Sequence, residues 1–153
     1  MSLEDVKARI QTTMKTVSGI GKVYTEHPNP KDDAQIQQQM MSGGRIHVWI
    51  IERELSTATD IVVNQNLVEK VDQLLIEGYF SFAYGDGSAK RFNDLVDAII
   101  AAINVDRRAP GELNKLVSTA TPPNYKFGLA MYGGSQVLCR KAEIRMRVTG
   151  YLQ

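Results

Sequence analysis

Between Phe92 and Ile103 apolar side chains return at steps of three and four: Phe92, Leu95, Val96, Ile99, Ile100 and Ile103. That spacing puts them on one stripe of an α-helix, and so apolar a stripe must be covered by an apolar surface of matching length. Segments of the other periodicity can supply it. Ala142, Ile144, Met146 and Val148 alternate with Lys141, Glu143, Arg145, Arg147 and Thr149, so 137–152 reads as a strand with a core face and a charged face. A helix lying on a sheet is the simplest arrangement that buries both rows.

A second helix opens the chain. Leu3, Val6, Ile10, Met14 and Val17 form its stripe, Ser2 is a suitable N-cap, and Asp5 sits where its acid favours the helix start. The run Ser18-Gly19-Ile20-Gly21 predicts its end, and Lys22-Val23-Tyr24 predicts a short strand directly after it. Residues 26–44 contain Pro28, Pro30 and the turn pair Gly43-Gly44, with a Gln-rich stretch over 33–41 that can form a short helix.

The β-branched and aromatic run 45–55 predicts a strand, and 61–83 a second strand or a bent pair. In the latter, Leu74, Ile76, Phe80 and Phe82 make an apolar face interrupted by Gly78, while Gln73, Glu77 and Ser81 suit a half-exposed face. Gly85-Asp86-Gly87 then turns into the 92–103 helix with Ser88 as the expected N-cap, and 106–134, with Pro110, Pro122, Pro123 and Gly133-Gly134, reads as a long irregular excursion. The expectation is a single α+β domain over residues 1–153. Its sheet has about four strands, antiparallel or mixed, with two amphipathic helices on one face and long loop excursions.

The chemistry legible in the chain is sparse. Its 18 basic and 17 acidic side chains leave a net charge of +1, without the basic excess of a free-standing nucleic-acid binder. The single cysteine, Cys139, excludes an internal disulfide, and with apolar neighbours it reads as a small buried hydrophobe. No apolar run approaches the roughly 18 residues of a membrane span, and no secretory signal is legible, which predicts folding in a reducing cytoplasm.

His27 and His47 lack metal-ligand spacing, although His27 with Asp32 and Asp33 could hold a cation weakly in a solvated loop. Gly19-Ile20-Gly21-Lys22 looks like a phosphate loop but runs from helix to strand and is followed by Val23, not by a hydroxyl residue. The turn Gly85-Asp86-Gly87-Ser88 does precede a helix, and with Lys90 and Arg91 an anion site is physically possible there, although a turn and a cap explain the glycines and the serine without a ligand. No nucleophile is accompanied by a base. The expectation is a protein that is not an enzyme and carries no cofactor or metal.

Four features in fixed order bring a family into view. The first is the Leu3-x-x-Val6-x-x-x-Ile10 helix ending in Gly19-Ile20-Gly21-Lys22-Val23-Tyr24, and the second is the strand Ile46-His47-Val48-Trp49-Ile50-Ile51-Glu52-Arg53. The third is Ile76-Glu77-Gly78-Tyr79-Phe80 leading into a Gly/Asp/Ser turn and the 92–103 helix; the fourth is Gly133-Gly134 followed by Val137-Leu138-Cys139-Arg140-Lys141-Ala142-Glu143 and a final strand. Together they span nearly the whole chain, which resembles the tail-terminator and tail-completion (neck) proteins of long-tailed bacteriophages.

That resemblance implies a homo-oligomeric, usually hexameric, ring in the tail or neck of a virion, assembled in the host cytoplasm. Such a ring seats on the tail tube protein, ends tube polymerisation and offers a docking surface to the head-tail connector protein. DNA passes through its lumen without specific binding, and no membrane is involved. A head-closure or connector subunit is the neighbouring reading, and a small anion- or nucleotide-binding enzyme built on the Gly85–Ser88 turn is a more distant one. The residues expected at subunit or partner interfaces are Trp49, Arg53, Arg107, Arg108, Tyr125, Tyr132, Lys141, Glu143, Arg145 and Arg147. The alternating charges from Lys141 to Arg147 suit pairing across an interface, or else a plain solvated sheet face.

Overall fold

Ser2 starts the first helix as its sequence suggests: its Oγ accepts a hydrogen bond from Asp5 N at 3.4 Å and α1 runs Leu3–Lys15. A computed structural model describes residues 2–29, 31–62, 67–82, 85–132 and 137–152. The two glycines after α1 have different jobs. Gly19 takes φ +78° in the turn, whereas a Cβ on Gly21 would lie 2.2 Å from the carbonyl oxygen of His47. The first lets the chain reverse, and the second lets it run close beside a strand.

That strand pairing is parallel. β1 (Lys22–Tyr24) is followed by α2 (Asp33–Met40), whose N-cap Asp32 accepts from Gln35 N at 2.9 Å, and by β2 (Met41–Ser42). Gly43 and Gly44, at φ +62° and +79°, form the two-residue hairpin from β2 into β3 (Arg45–Val62). β1 then aligns Val23 with Trp49 of β3. The strand expected over 61–83 is divided otherwise: Ile61 and Val62 end β3, β4 is Leu67–Ser81, and residues 63–66 and 83 lie outside the described residues. In the β3–β4 register Trp49 faces Gly78, where a Cβ would come 2.1 Å from the indole ring, so the gap in the apolar row of β4 is room for tryptophan.

α3 (Ser88–Asp106) is the helix of the Phe92–Ile103 stripe. The stretch 106–134, expected to be irregular, instead contains α4 (Glu112–Leu116), β5 (Thr119–Ala120) and β6 (Asn124–Met131). The reason is that β7 (Leu138–Leu152) has a second edge to fill: β5 pairs with its Val148 and Thr149, and β6 with the run from Arg145 back to Leu138. The Gly133-Gly134 turn expected before β7 lies outside the described residues. Among the described residues the result is one mixed seven-stranded sheet in the order β1-β3-β4-β7-β5, with β2 on β3 and β6 on β7, and four helices accompany it. The fold is therefore mixed α and β, with more strands and helices than expected.

Strand alternation sorts the core into two. On the helical face, Val6, Ile10 and Met14 of α1 and Phe92, Val96, Ile99 and Ile103 of α3 pack on Trp49, Ile51, Leu74, Ile76, Ile144 and Met146. On the second face Ile46, Val48 and Ile50 meet Tyr79, Cys139, Tyr132 and Met40 of α2. Tyr79 is thus buried, whereas its face of β4 was expected to be half-exposed. One polar junction ties α1 to α3 and α4: Asp106 receives two hydrogen bonds from Arg9 at 2.9 and 3.0 Å, one from Thr13 Oγ1 at 3.0 Å, and one from Glu112 N at 3.1 Å. Burial alone would raise the Asp106 carboxyl, but these donors outweigh it and hold it below the ordinary aspartate value.

Candidate assembly surface

β6 is where the sheet is left unfinished. It hydrogen-bonds to β7 on one side, and no other strand among the described residues pairs with it. Its register sets Tyr125 opposite Ile144 and Phe127 opposite Ala142, both core positions, so the odd residues of β6 point to the helical face. α3 does not reach that far. Tyr125, Phe127, Leu129 and Met131 remain 43%, 47%, 61% and 54% exposed, and Val137 and Leu138 beside them 38% and 44%. Phe127 meets Phe92 edge-on with centroids 6.2 Å apart, so this row continues the rim of the core into solvent. A row of open backbone donors and acceptors beside exposed apolar side chains is the arrangement that pairs with another chain.

A second open edge lies across the sheet. β2 and β1 cover β3 up to Ile50, but from Glu52 to Val62 no strand among the described residues pairs with its outer side. Residues 53–59 there are exposed, and the register shifts between Arg53 and Leu55 and between Asp60 and Val62, irregularities that add local twist. Among the described residues the sheet thus has two different unpaired edges on opposite sides, one apolar and one rich in Ser and Thr. A head-to-tail interface joins two such unlike surfaces.

The expected interface residues separate into groups. Lys141, Glu143 and Arg145 find partners within the chain. Lys141 lies 3.3 Å from Glu77 and 3.5 Å from Glu143, Arg145 bonds Glu54 at 3.0 Å and Glu143 at 2.8 Å, and Lys126 of β6 adds a contact to Glu143 at 3.6 Å. These pairs join strands across the second face. Arg145 lowers the carboxyls of both Glu54 and Glu143 and is itself raised, through hydrogen bonds first to Glu54 and then to Glu143.

Trp49 is no surface residue: it is fully buried, stacks on Phe92 at 5.7 Å and donates from Nε1 to His47 Nε2 at 2.9 Å. Tyr132 is likewise buried, edge-on to Tyr79. Arg107 is half-buried and bonds Asn104 and the Ala120 carbonyl, whereas Arg53, Arg108 and Arg147 are exposed. Of the ten, only Tyr125 belongs to the apolar edge. Its neighbours Phe127, Leu129 and Met131 were missed, although their strict alternation is present in the sequence.

The small-ligand readings fare differently. Gly87, not Ser88, is the N-cap of α3, and Asp86 Oδ1 accepts from Ser88 N at 2.9 Å, so a carboxylate of the chain occupies the place a phosphate would take. Ser88 is buried with its Oγ accepting from Arg140 Nε at 2.9 Å, and Lys90 is held by Asp94 at 2.7 Å. His27 lies 3.7 Å from Glu52, with Glu77 nearby; the Asp33 side chain expected beside it lies outside the described residues. Burial and a hydrogen bond to Glu77 raise the Glu52 carboxyl. The bonds from Glu52, Tyr79 and Lys141 lower Glu77 against its own burial, so the two acids are pushed apart in opposite directions. Burial raises the Cys139 thiol to about 11, which suits packing and not nucleophilic attack.

No protein-family model matches this chain, and no curated protein matches it. Among the described residues no helix is long and apolar enough to cross a membrane.

Proposed function

We propose that the chain is a structural subunit that assembles with copies of itself into a ring, hexameric by analogy with the family its sequence resembles, at the end of a bacteriophage tail. The observation that carries the ring is the pair of unlike open edges: the apolar β6 on one side of the sheet and the outer edge of β3 on the other. Joining them head to tail covers the Tyr125–Met131 row and repeats around a closed circle. The ordered sequence motifs supply the tail-terminator assignment. In that role the ring caps the last ring of tail tube protein, stops its growth and offers its far side to the head-tail connector. DNA traverses the lumen, and a net charge of +1 suits passage better than tight phosphate binding.

Electron microscopy of lysates made without this gene tests the proposal. Overlong, headless tails are the expected result. Headless tails of normal length would reassign the chain to a connector, and intact virions would overturn both readings.

A further inference from the structure

Away from both edges, on the helical face, the chain has a cleft of about 520 Å³. Three separate segments wall it: Ser18 in the turn after α1, Ser42 at the β2–β3 hairpin, and Arg91 on α3, with Arg45, His47 and Phe80 of the sheet at its base. The size is that of a small-molecule site and the walls are mixed, with Ile20, Leu95 and Ala98 beside the polar groups.

Its electrostatics are one-sided. The Phe80 ring carries two guanidiniums, Arg45 at 4.5 Å and Arg91 at 5.5 Å from its centroid, and the edge of His47 at 4.8 Å. Stacking on a ring fixes each guanidinium plane and leaves its N–H fork free to meet an oxyanion. The two cations are unequally neutralised. Arg45 donates to the Ser81 carbonyl at 3.2 Å and has Asp86 at 3.7 Å; no carboxylate among the described residues pairs with Arg91. Asp94 stands on the rim but is held by Lys90.

His47 registers the resulting field: burial first, then Arg45 and Arg91, push its pKa down to about 4, so it adds no charge at neutral pH. Its Nε2 accepts from Trp49, which leaves the proton, and a hydrogen-bond donor, on Nδ1.

We propose that this cleft binds a small organic oxyanion, a carboxylate or phosphate on an apolar body, with Arg91 and Arg45 gripping the anion and Phe80, Ile20 and Leu95 covering the body. The proposal stands apart from the ring and survives its failure.

Calorimetric titration of the full chain with phenyl phosphate and with benzoate tests it, with inorganic phosphate and benzyl alcohol as head-only and body-only controls. Saturable binding of one of the two amphiphilic anions is expected. Amide NMR shifts should centre on residues 18–20 and 42–47, and Arg91→Ala should weaken binding about tenfold, the worth of one charge-assisted contact. Arg91 is exposed, so the variant keeps its fold, and Lys115→Ala, an exposed cation on α4 outside the cleft, should bind as the parent does. Four results would each overturn the proposal: no saturable binding at millimolar probe, amide shifts elsewhere, equal loss in Lys115→Ala, or inorganic phosphate binding as tightly as the organic probes.

Discussion

α3 and β6 each lay a row of large apolar side chains on the same face of the same sheet, and the two rows touch where Phe92 meets Phe127. In α3 the row is closed: Phe92, Val96, Ile99 and Ile103 are all 1% exposed or less. In β6 it is open, from 43% at Tyr125 to 61% at Leu129. Composition does not separate them. What does is position, because α1 and α3 span β3, β4 and part of β7, and β6 falls beyond the last helix. Hydrophobicity therefore marks a surface that must be covered, and geometry decides whether the chain covers it itself.

The contrast breaks if the two rows respond alike to mutation. Phe92→Ala should cost about 3–5 kcal/mol in urea unfolding, since it empties a ring-sized volume under Trp49 and Phe80. Asp106→Asn should cost about 2–3 kcal/mol, less than for a wholly buried pair because the Arg9 side chain is 30% exposed. The Asp106 carboxyl is depressed on folding, so its contribution is complete above its unfolded value of about 3.9 and fades as pH falls through the lower folded value. Asp106→Asn should accordingly flatten the acid limb of the stability curve measured by unfolding from neutral to strongly acidic pH.

Leu129→Lys should change stability by no more than about 0.5 kcal/mol, as at other exposed sites, yet abolish the proposed self-association in sedimentation or microscopy. A loss of several kcal/mol would make β6 part of the core and remove the basis of the ring. With neither a core nor an assembly effect, Glu54→Gln should cost only about 0.2–1 kcal/mol, and less at high salt, because its pair with Arg145 is about one-third exposed on both sides.

Much of this architecture is legible in the residues. α1 follows from its period and its cap, α3 and β7 from their periods, and Gly43-Gly44 is a two-residue hairpin as the dipeptide suggests. β6 escaped because Pro122, Pro123 and Gly128 argue for a loop and Asn124, Lys126 and Ala130 are poor strand formers, while its alternation needs β7 beside it to become a strand. Trp49 could not be placed without knowing that Gly78 stands opposite. The charges from Lys141 to Arg145 showed their signs but not their partners, Glu77 and Glu54, which lie far upstream in the chain. Asp106 was invisible as a junction for the same reason: Arg9 is 97 positions away.

The pairing of β6 with β7 also sets a schedule. β3 and β4 are joined by a short connection and can zip together early, but β7 reaches β4 only by closing a loop from Ser81 to Cys139, a slow step. β6 pairs with β7, its neighbour in the chain, from Met131 opposite Leu138 onward, so those two strands can meet before β7 reaches β4. Only when β7 docks on β4 is the exposed row of β6 set beside the core at Phe92. A half-folded chain, the state in which premature association leads to aggregates, therefore does not yet hold the edge of the proposed ring in its final place.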